Sequence, residues 1–339
     1  MYTRLIFLSL IFWFYANSGF SQIWSYDFGT GKNASFTSNN SFSTTFLPQP
    51  DPGAGQDLVY VSTEGGGLYL ENQTIQFGKD RYLMIGSSQN SSINKFSIYD
   101  YTPGKTFALT FRIRFGNWDG TSVAFSSNFR LCVGDGDSYS LGYYPAMLTQ
   151  TFTCLSWELK GNNTITTKFI NRNTALTIHG TPFSQGNDYI VDIIGNNTKN
   201  TIYYKDGRQS VPANTFDLWV NGIKVGQDLP KSRLADDSYI DSFTFDGERS
   251  TGNVANIFLD DIKYSNTADN FLPVELASFT AKATAGKITL NVFNSLGQKV
   301  ETLLNGEVHS GYHEVNFDAS GLPGGVYFYE LNTGGFREA

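Results

Sequence analysis

The sequence predicts an all-β protein, on three observations. Aromatic residues make up 15% of the 339 residues and charged residues only 16%, with Gly, Asn, Ser and Thr plentiful. Aromatic and β-branched side chains suit a pleated, half-buried surface, and small polar residues suit turns. Second, Phe107, Leu109, Phe111, Ile113 and Phe115 alternate with Ala108, Thr110, Arg112 and Arg114, a strict period of two that puts the first set on one buried face. Third, turn dipeptides punctuate the chain: Asp135-Gly136, Asn187-Asp188, Asp206-Gly207 and Asn221-Gly222. Many short strands with polar turns indicate an antiparallel sandwich or barrel. No segment carries a convincing amphipathic-helix pattern.

Taken in order, the chain opens with Met1-Tyr2-Thr3-Arg4, then an apolar run from Leu5 to Tyr15. That run fits the core of a signal peptide and is short of the ~20 residues of a membrane span. Cleavage after Ser21 makes residues 1–21 the signal peptide. No second run of spanning length follows. Residues 22–270 read as one β-sandwich, with strands expected at Ile23–Phe28, Leu68–Glu71, Thr106–Phe115, Thr121–Phe125, Phe152–Leu159, Ile165–Ile170, Tyr189–Ile194, Ile202–Lys205, Phe216–Val220 and Val254–Tyr264. The polar, then Pro-rich stretch Asn33–Gly55 reads as a long surface loop. Asn221-Gly222 is the sharpest hairpin signal, because both residues tolerate the positive φ of a type I′ turn. Residues 271–290 read as a linker or the remnant of another β module, and 291–339 as a small second β module.

The net charge of −7, without a Lys/Arg cluster, argues against nucleic acid as a partner. Cys132 and Cys154 are the only cysteines, too few for a zinc or redox motif. Each falls in an expected strand, so they form either one disulfide or two buried thiols.

The tail residues Asn291-Val292-Phe293-Asn294-Ser295-Leu296-Gly297-Gln298-Lys299-Val300 and Gly311–Phe328 resemble the type IX secretion sorting domain of Bacteroidetes secreted proteins. The resemblance implies export across the inner membrane, recognition of the tail by the outer-membrane machinery, and a secreted or cell-surface location. The opening Pro-Asn-Pro loop and the closing basic strand of that family are not read here. The tail is therefore expected to be a truncated sorting domain. The segment Pro273–Ala281 resembles the opening of a different module that often precedes it. The strand Phe107–Phe115, the hairpin Asp217–Val225 and the closing strand Ile257–Ile262 resemble the jelly roll of concanavalin-like and laminin-G-like domains. That implies a lectin/glucanase-like sandwich.

Candidate chemistry is sparse. Glucanases of this fold class carry a Glu-x-Asp-x-x-Glu strand, which is absent. Asp237, Asp241 and Glu248 are the nearest acidic series, and their spacing does not put all three on one strand face. His179 is the one histidine of the main region, at a strand end, and no Gly-x-Ser-x-Gly elbow accompanies it. The acidic turn at Asp135-Gly136-Asp137 reads as solvated. Asp260-Asp261 lies in an apolar strand, where an unpaired buried charge is costly. A structural calcium shared with Asp27, or hydrogen bonds to backbone amides, would compensate it. Trp118, beside Gly116-Asn117 and Asp119-Gly120, and Tyr143-Tyr144-Pro145 sit in connections, where an aromatic face is available to the apolar face of a sugar. Trp157 and Trp219 fall within strands and read as core. The sequence is therefore read as a noncatalytic glycan- or surface-binding sandwich. The competing classes are a structural or adhesive surface protein and a divergent glycoside hydrolase.

Overall fold

The structure is a computed structural model that describes residues 23–38, 41–50, 55–63, 65–72, 74–78, 80–88, 93–124, 126–136, 139, 148–205, 208–251, 255–268, 277–283, 286–294, 298–309, 311–317, 327–333 and 336–338. The expected signal peptide lies outside these residues. The strands of the main region are β1 (Ile23–Tyr26), β2 (Ala34–Phe36), β3 (Ser41–Ser43), β4 (Gly55–Thr63), β5 (Gly67–Asn72), β6 (Arg81–Gly86), β7 (Asn94–Tyr101), β8 (Thr106–Gly116), β9 (Ser126–Gly134), β10 (Thr151–Lys160), β11 (Ile165–Asn171), β12 (Thr174–Thr177), β13 (Asp188–Asn196), β14 (Ile202–Tyr204), β15 (Gln209–Val211), β16 (Thr215–Val220), β17 (Ile223–Pro230), β18 (Ser242–Thr251) and β19 (Asn256–Ser265). Those of the tail are β20 (Ala277–Ala283), β21 (Gly286–Asn294), β22 (Lys299–Val308), β23 (Gly311–Phe317), β24 (Tyr327–Thr333) and β25 (Phe336–Glu338). Among the described residues helix is confined to short isolated turns such as Leu148–Gln150, so the all-β reading holds.

Two antiparallel sheets make the jelly-roll sandwich. One runs β17-β16-β13-β8-β19-β6-β5-β2, with β1 also on β19, and the other runs β12-β11-β10-β9-β18-β7-β4-β3. The alternation read in β8 sets the core: Phe107, Phe111 and Phe115 are all fully buried. Phe111 packs edge-on against Phe245 of the opposite sheet, and Phe115 against Phe183. Burying such side chains is worth about 1.5–3 kcal/mol each. The Asn221-Gly222 turn forms as read, with φ of 49° and 75° and Val220 paired to Ile223. The expected neighbour relation of the first and closing strands also forms, since Ile23 pairs with Ser265 and Tyr26 with Ile262.

Several expectations are corrected. Thr121 to Ala124 is not a strand; pairing starts at Ser126, because Asp119 ties Thr121 and Ser122 into a turn. The supposed loop Asn33–Gly55 holds the edge strands β2 and β3; their Ser-rich sequences carry no apolar alternation because edge strands here bury little. The segment 271–290, read as a linker or the remnant of a β module, carries β structure. Within it, β20 pairs along its whole length with β23, from Ala277–Phe317 to Ala283–Gly311, and β21 begins at Gly286. The tail also has a last strand, β25, pairing Phe336 with Thr333. Its other sheet runs β22-β21-β24-β25 and buries Ile288, Leu290 and Val292.

Candidate functional site

Trp118 is the exposed aromatic that the sequence nominated, and its loop is built to hold it. After β8 ends, the Asn117 amide donates to the Ser122 carbonyl (2.8 Å), and Gly120 N–H donates to the Asn117 carbonyl (2.8 Å). Asp119 closes the turn. Its Oδ1 accepts from the amides of Thr121 (2.9 Å) and Ser122 (2.7 Å), and its Oδ2 accepts from the Ser122 hydroxyl (2.5 Å). Those bonds hold the Asp119 carboxyl down at about 2. Gly120 has φ +70°, and a Cβ there would lie 2.5 Å from Ile75 Cδ1, so only glycine fits at that point. The turn leaves Trp118 51% exposed.

Trp118 rests edge-on against Tyr69 of β5, with centroids 4.5 Å apart at 81°. Behind them, Phe77, Tyr82, Met84 and Phe258 form a buried aromatic layer on the outer face of the nine-stranded sheet, with Tyr69 and Ile75 packed against it. The Arg114 guanidinium lies over the Phe77 ring at 5.2 Å and donates to the Gln76 carbonyl, pinning the segment that carries this layer. Polar groups flank the ledge. The Tyr69 hydroxyl donates to the Gly66 carbonyl (2.9 Å), while Glu71 Oε2 accepts from Asn33 Nδ2 and Thr74 Oγ1, both at 2.6 Å. Burial, then the nearby Glu71 carboxylate, raises the Tyr69 hydroxyl above its ordinary value. The result is a fixed, half-exposed indole with a phenol beside it and a carboxylate near that phenol. Sequence reasoning missed Tyr69, because its contact with Trp118 arises only in the folded chain, and Glu71, which lies near Tyr69. Tyr143 and Tyr144 lie outside the described residues.

The outer face of the eight-stranded sheet is different in kind. Asp246 of β18 stands opposite Lys95 of β7 on one side and Arg130 of β9 on the other. Arg130 donates to Asp246 Oδ1 from Nε (2.9 Å) and Nη2 (2.6 Å), and its Nη1 lies 3.4 Å from Glu248 Oε1. All four side chains are buried. Burial raises the Asp246 carboxyl against the opposing pull of Arg130, and lowers Lys95 to about 8. Asp246 and Glu248 share a strand face, a relation legible from the inward alternation of Phe243 and Phe245. Both are tied to one arginine rather than placed around an open cleft. Asp237 instead pairs with Lys105, and Asp241 accepts from Ser242. The acidic series read from the sequence is thus not one constellation.

Cys132 and Cys154 face each other across β9 and β10, Cα atoms 4.0 Å apart, and are disulfide-bonded. They pack with Tyr60, Tyr99 and Tyr139. Asp27, Asp260 and Asp261 do not converge; no group of three or more His, Cys, Asp or Glu able to hold a metal occurs among the described residues. The reason is a bulge. β6 pairs with β19 up to Leu259, β1 takes over from Ile262, and Asp261 turns at φ +50° between them. Its carboxylate meets Arg112 Nε at 3.0 Å, Asp260 is buried against Gly78, and Asp27 is exposed, accepting from Gly29. Arg112 thus compensates the Asp261 carboxylate. His179 is exposed.

Residues 264–338 match the family described as the secretion system C-terminal sorting domain. The chain therefore carries a type IX sorting tail, is secreted or displayed on the outer surface, and has secretion machinery as a partner. No helix among the described residues is long and apolar enough to cross a membrane. No curated protein matches. Similar solved structures include "Cellulose induced protein, Cip1" (13% identity, 67% of this chain and 90% of that chain, TM-score 0.36). The Emp47p carbohydrate recognition domain is similar at 12% identity (59% and 88%, TM-score 0.34). So is the binding domain of Botulinum neurotoxin DC in complex with rat synaptotagmin II, at 10% (89% and 71%, TM-score 0.38).

Proposed function

We propose that the sandwich is a noncatalytic glycan-binding module, carried outside the cell by its sorting tail, with Trp118 and Tyr69 as its sugar-stacking ledge. One observation carries the reading: an indole 51% exposed yet fixed by a hydrogen-bonded turn and an edge-on tyrosine. A free surface tryptophan costs water contact. One that is held rigid offers its apolar face without an ordering penalty on binding, and Glu71 stands by as an acceptor for sugar hydroxyls. The noncatalytic part of the reading rests on the carboxylates. Asp246 and Glu248, the pair nearest to a hydrolytic arrangement, are buried and neutralised by Arg130, whereas a hydrolase needs its two carboxylates on either side of a sugar bond.

The test is a panel of neutral glycans measured for binding and for release of reducing ends. Retention of a glycan by the wild-type protein, lost in Trp118→Ala and without turnover, is the expected result. Turnover abolished by Asp246→Asn would replace the module with a hydrolase. No glycan retained at all would leave the adhesive or structural class.

A further inference from the structure

A second candidate site lies at the far edge of the sandwich, where the terminal strands of both sheets, β17 and β12, come together. A groove of ≈ 1080 Å³ opens there between the β11–β12 turn and the segment 230–236. Its charge runs opposite to the chain's. Arg172, Lys231 and Arg233 line it against a single carboxylate, Asp236, in a protein of net charge −7. That carboxylate is already spent on Lys231 at 2.7 Å. The two guanidiniums remain: neither Arg172 nor Arg233 makes an ion pair among the described residues, and both are exposed.

The groove is structured rather than a gap between mobile loops. Arg233 Nη1 donates to Asn173 Oδ1 across it at 3.3 Å. The amides of Ser232, Arg233 and Leu234 all donate to β10 carbonyls (Phe152 or Thr151), and Leu234 is buried in the core.

We infer that this groove binds an anionic glycan, its carboxylate or sulfate groups held by Arg172 and Arg233 and its hydroxyls by the exposed Asn173 side chain. Guanidinium forks match such planar or tetrahedral anions with paired hydrogen bonds. The groove lies toward the edge opposite Tyr69, which sits on β5 beside the other terminal strand, so the two sites are separable by mutation.

The experiment is affinity electrophoresis of the full secreted chain through gels containing polygalacturonate, dextran sulfate or unmodified dextran. Wild type should be retarded by at least one anionic polymer and not through this site by dextran. Arg172→Ala/Arg233→Ala should weaken that retardation about tenfold or more, and added salt should weaken it in wild type. The two anionic polymers distinguish carboxylate from sulfate. Trp118→Ala should leave anionic retardation unchanged, so failure of the ledge and failure of the groove read out separately. Matching melting temperatures confirm that the double variant is folded. Equal retardation of double variant and wild type, or no retardation by either anionic polymer, overturns the inference.

Discussion

The two outer faces of the sandwich occupy equivalent positions in the strand alternation and meet opposite fates. On the nine-stranded sheet, the outward residues near β5 are aromatic, and the chain leaves Trp118 in solvent above them. On the eight-stranded sheet, the outward residues of β7, β9 and β18 include four charges, and Lys95, Arg130, Asp246 and Glu248 are all buried. Polarity therefore does not decide exposure in this fold; partners do. A charge can be sealed when an opposite charge sits directly across the strand, and an indole can be left out when a rigid turn holds it. The comparison also separates stability from function. The sealed face should govern unfolding, and the open face should govern binding.

The largest expected effect is on the sealed face. Arg130→Ala leaves Asp246 buried without its main counter-charge and should cost about 3–5 kcal/mol in urea unfolding; a loss under ~1 kcal/mol would mean water reaches the row. Next comes the disulfide of the same face. Cys132→Ala/Cys154→Ala should cost about 2–4 kcal/mol, read from the shift in denaturation midpoint.

Asp192 sharpens the contrast because it lies on the nine-stranded sheet and is nonetheless buried, bonded to Thr110. Burial raises its carboxyl to about 6. A group whose folded value is raised stabilises the fold at low pH and loses that contribution as pH rises through the folded value. Relative to Asp192→Asn, the wild type should therefore lose stability between about pH 4 and 6, on the order of 2–3 kcal/mol. Parallel melting curves for the two proteins over that range would exclude a buried carboxylate there.

The open face should be nearly silent in stability. Trp118→Ala should shift unfolding by no more than about 0.5 kcal/mol while removing glycan retention. Smallest of all is Asp119→Ala, which loosens the turn without touching the sugar. It should weaken retention a few-fold, and a loss as complete as that of Trp118→Ala would make Asp119 a direct contact.

Local signals were legible in the sequence. The Phe107–Phe115 alternation, the Asn221-Gly222 turn and the exposure of Trp118 each follow from a few adjacent residues, whereas the pairing of Cys132 with Cys154, left open by the sequence, follows from the register of β9 on β10. The sorting tail was also legible, though its extent was not. β20 binds β23 across an intervening hairpin, and nothing local in Ala277–Ala283 announces a partner that far along the chain. The same limit hid the sites. Tyr69 meets Trp118, Asp246 meets Arg130, and Arg233 meets Asn173 only after strands distant in sequence are paired. The partner of Asp261 was hidden for a related reason: a bulge shared between two partner strands turns it toward Arg112.

That shared closing strand has a kinetic consequence. β1 and β19 are the first and last strands of the sandwich, so Ile23 waits for Ser265 before the sheet is complete. Contacts of such long sequence separation slow folding, and a chain still emerging cannot make them. The sorting match begins at residue 264, inside β19, so the same few residues end the sandwich and open the address label. Proteolytic removal of the tail must cut beyond Ser265 to leave a closed sandwich. A secreted product ending before Ile262 should lose the β1 pairing, which amide exchange at Trp24 and Tyr26 would detect as lost protection.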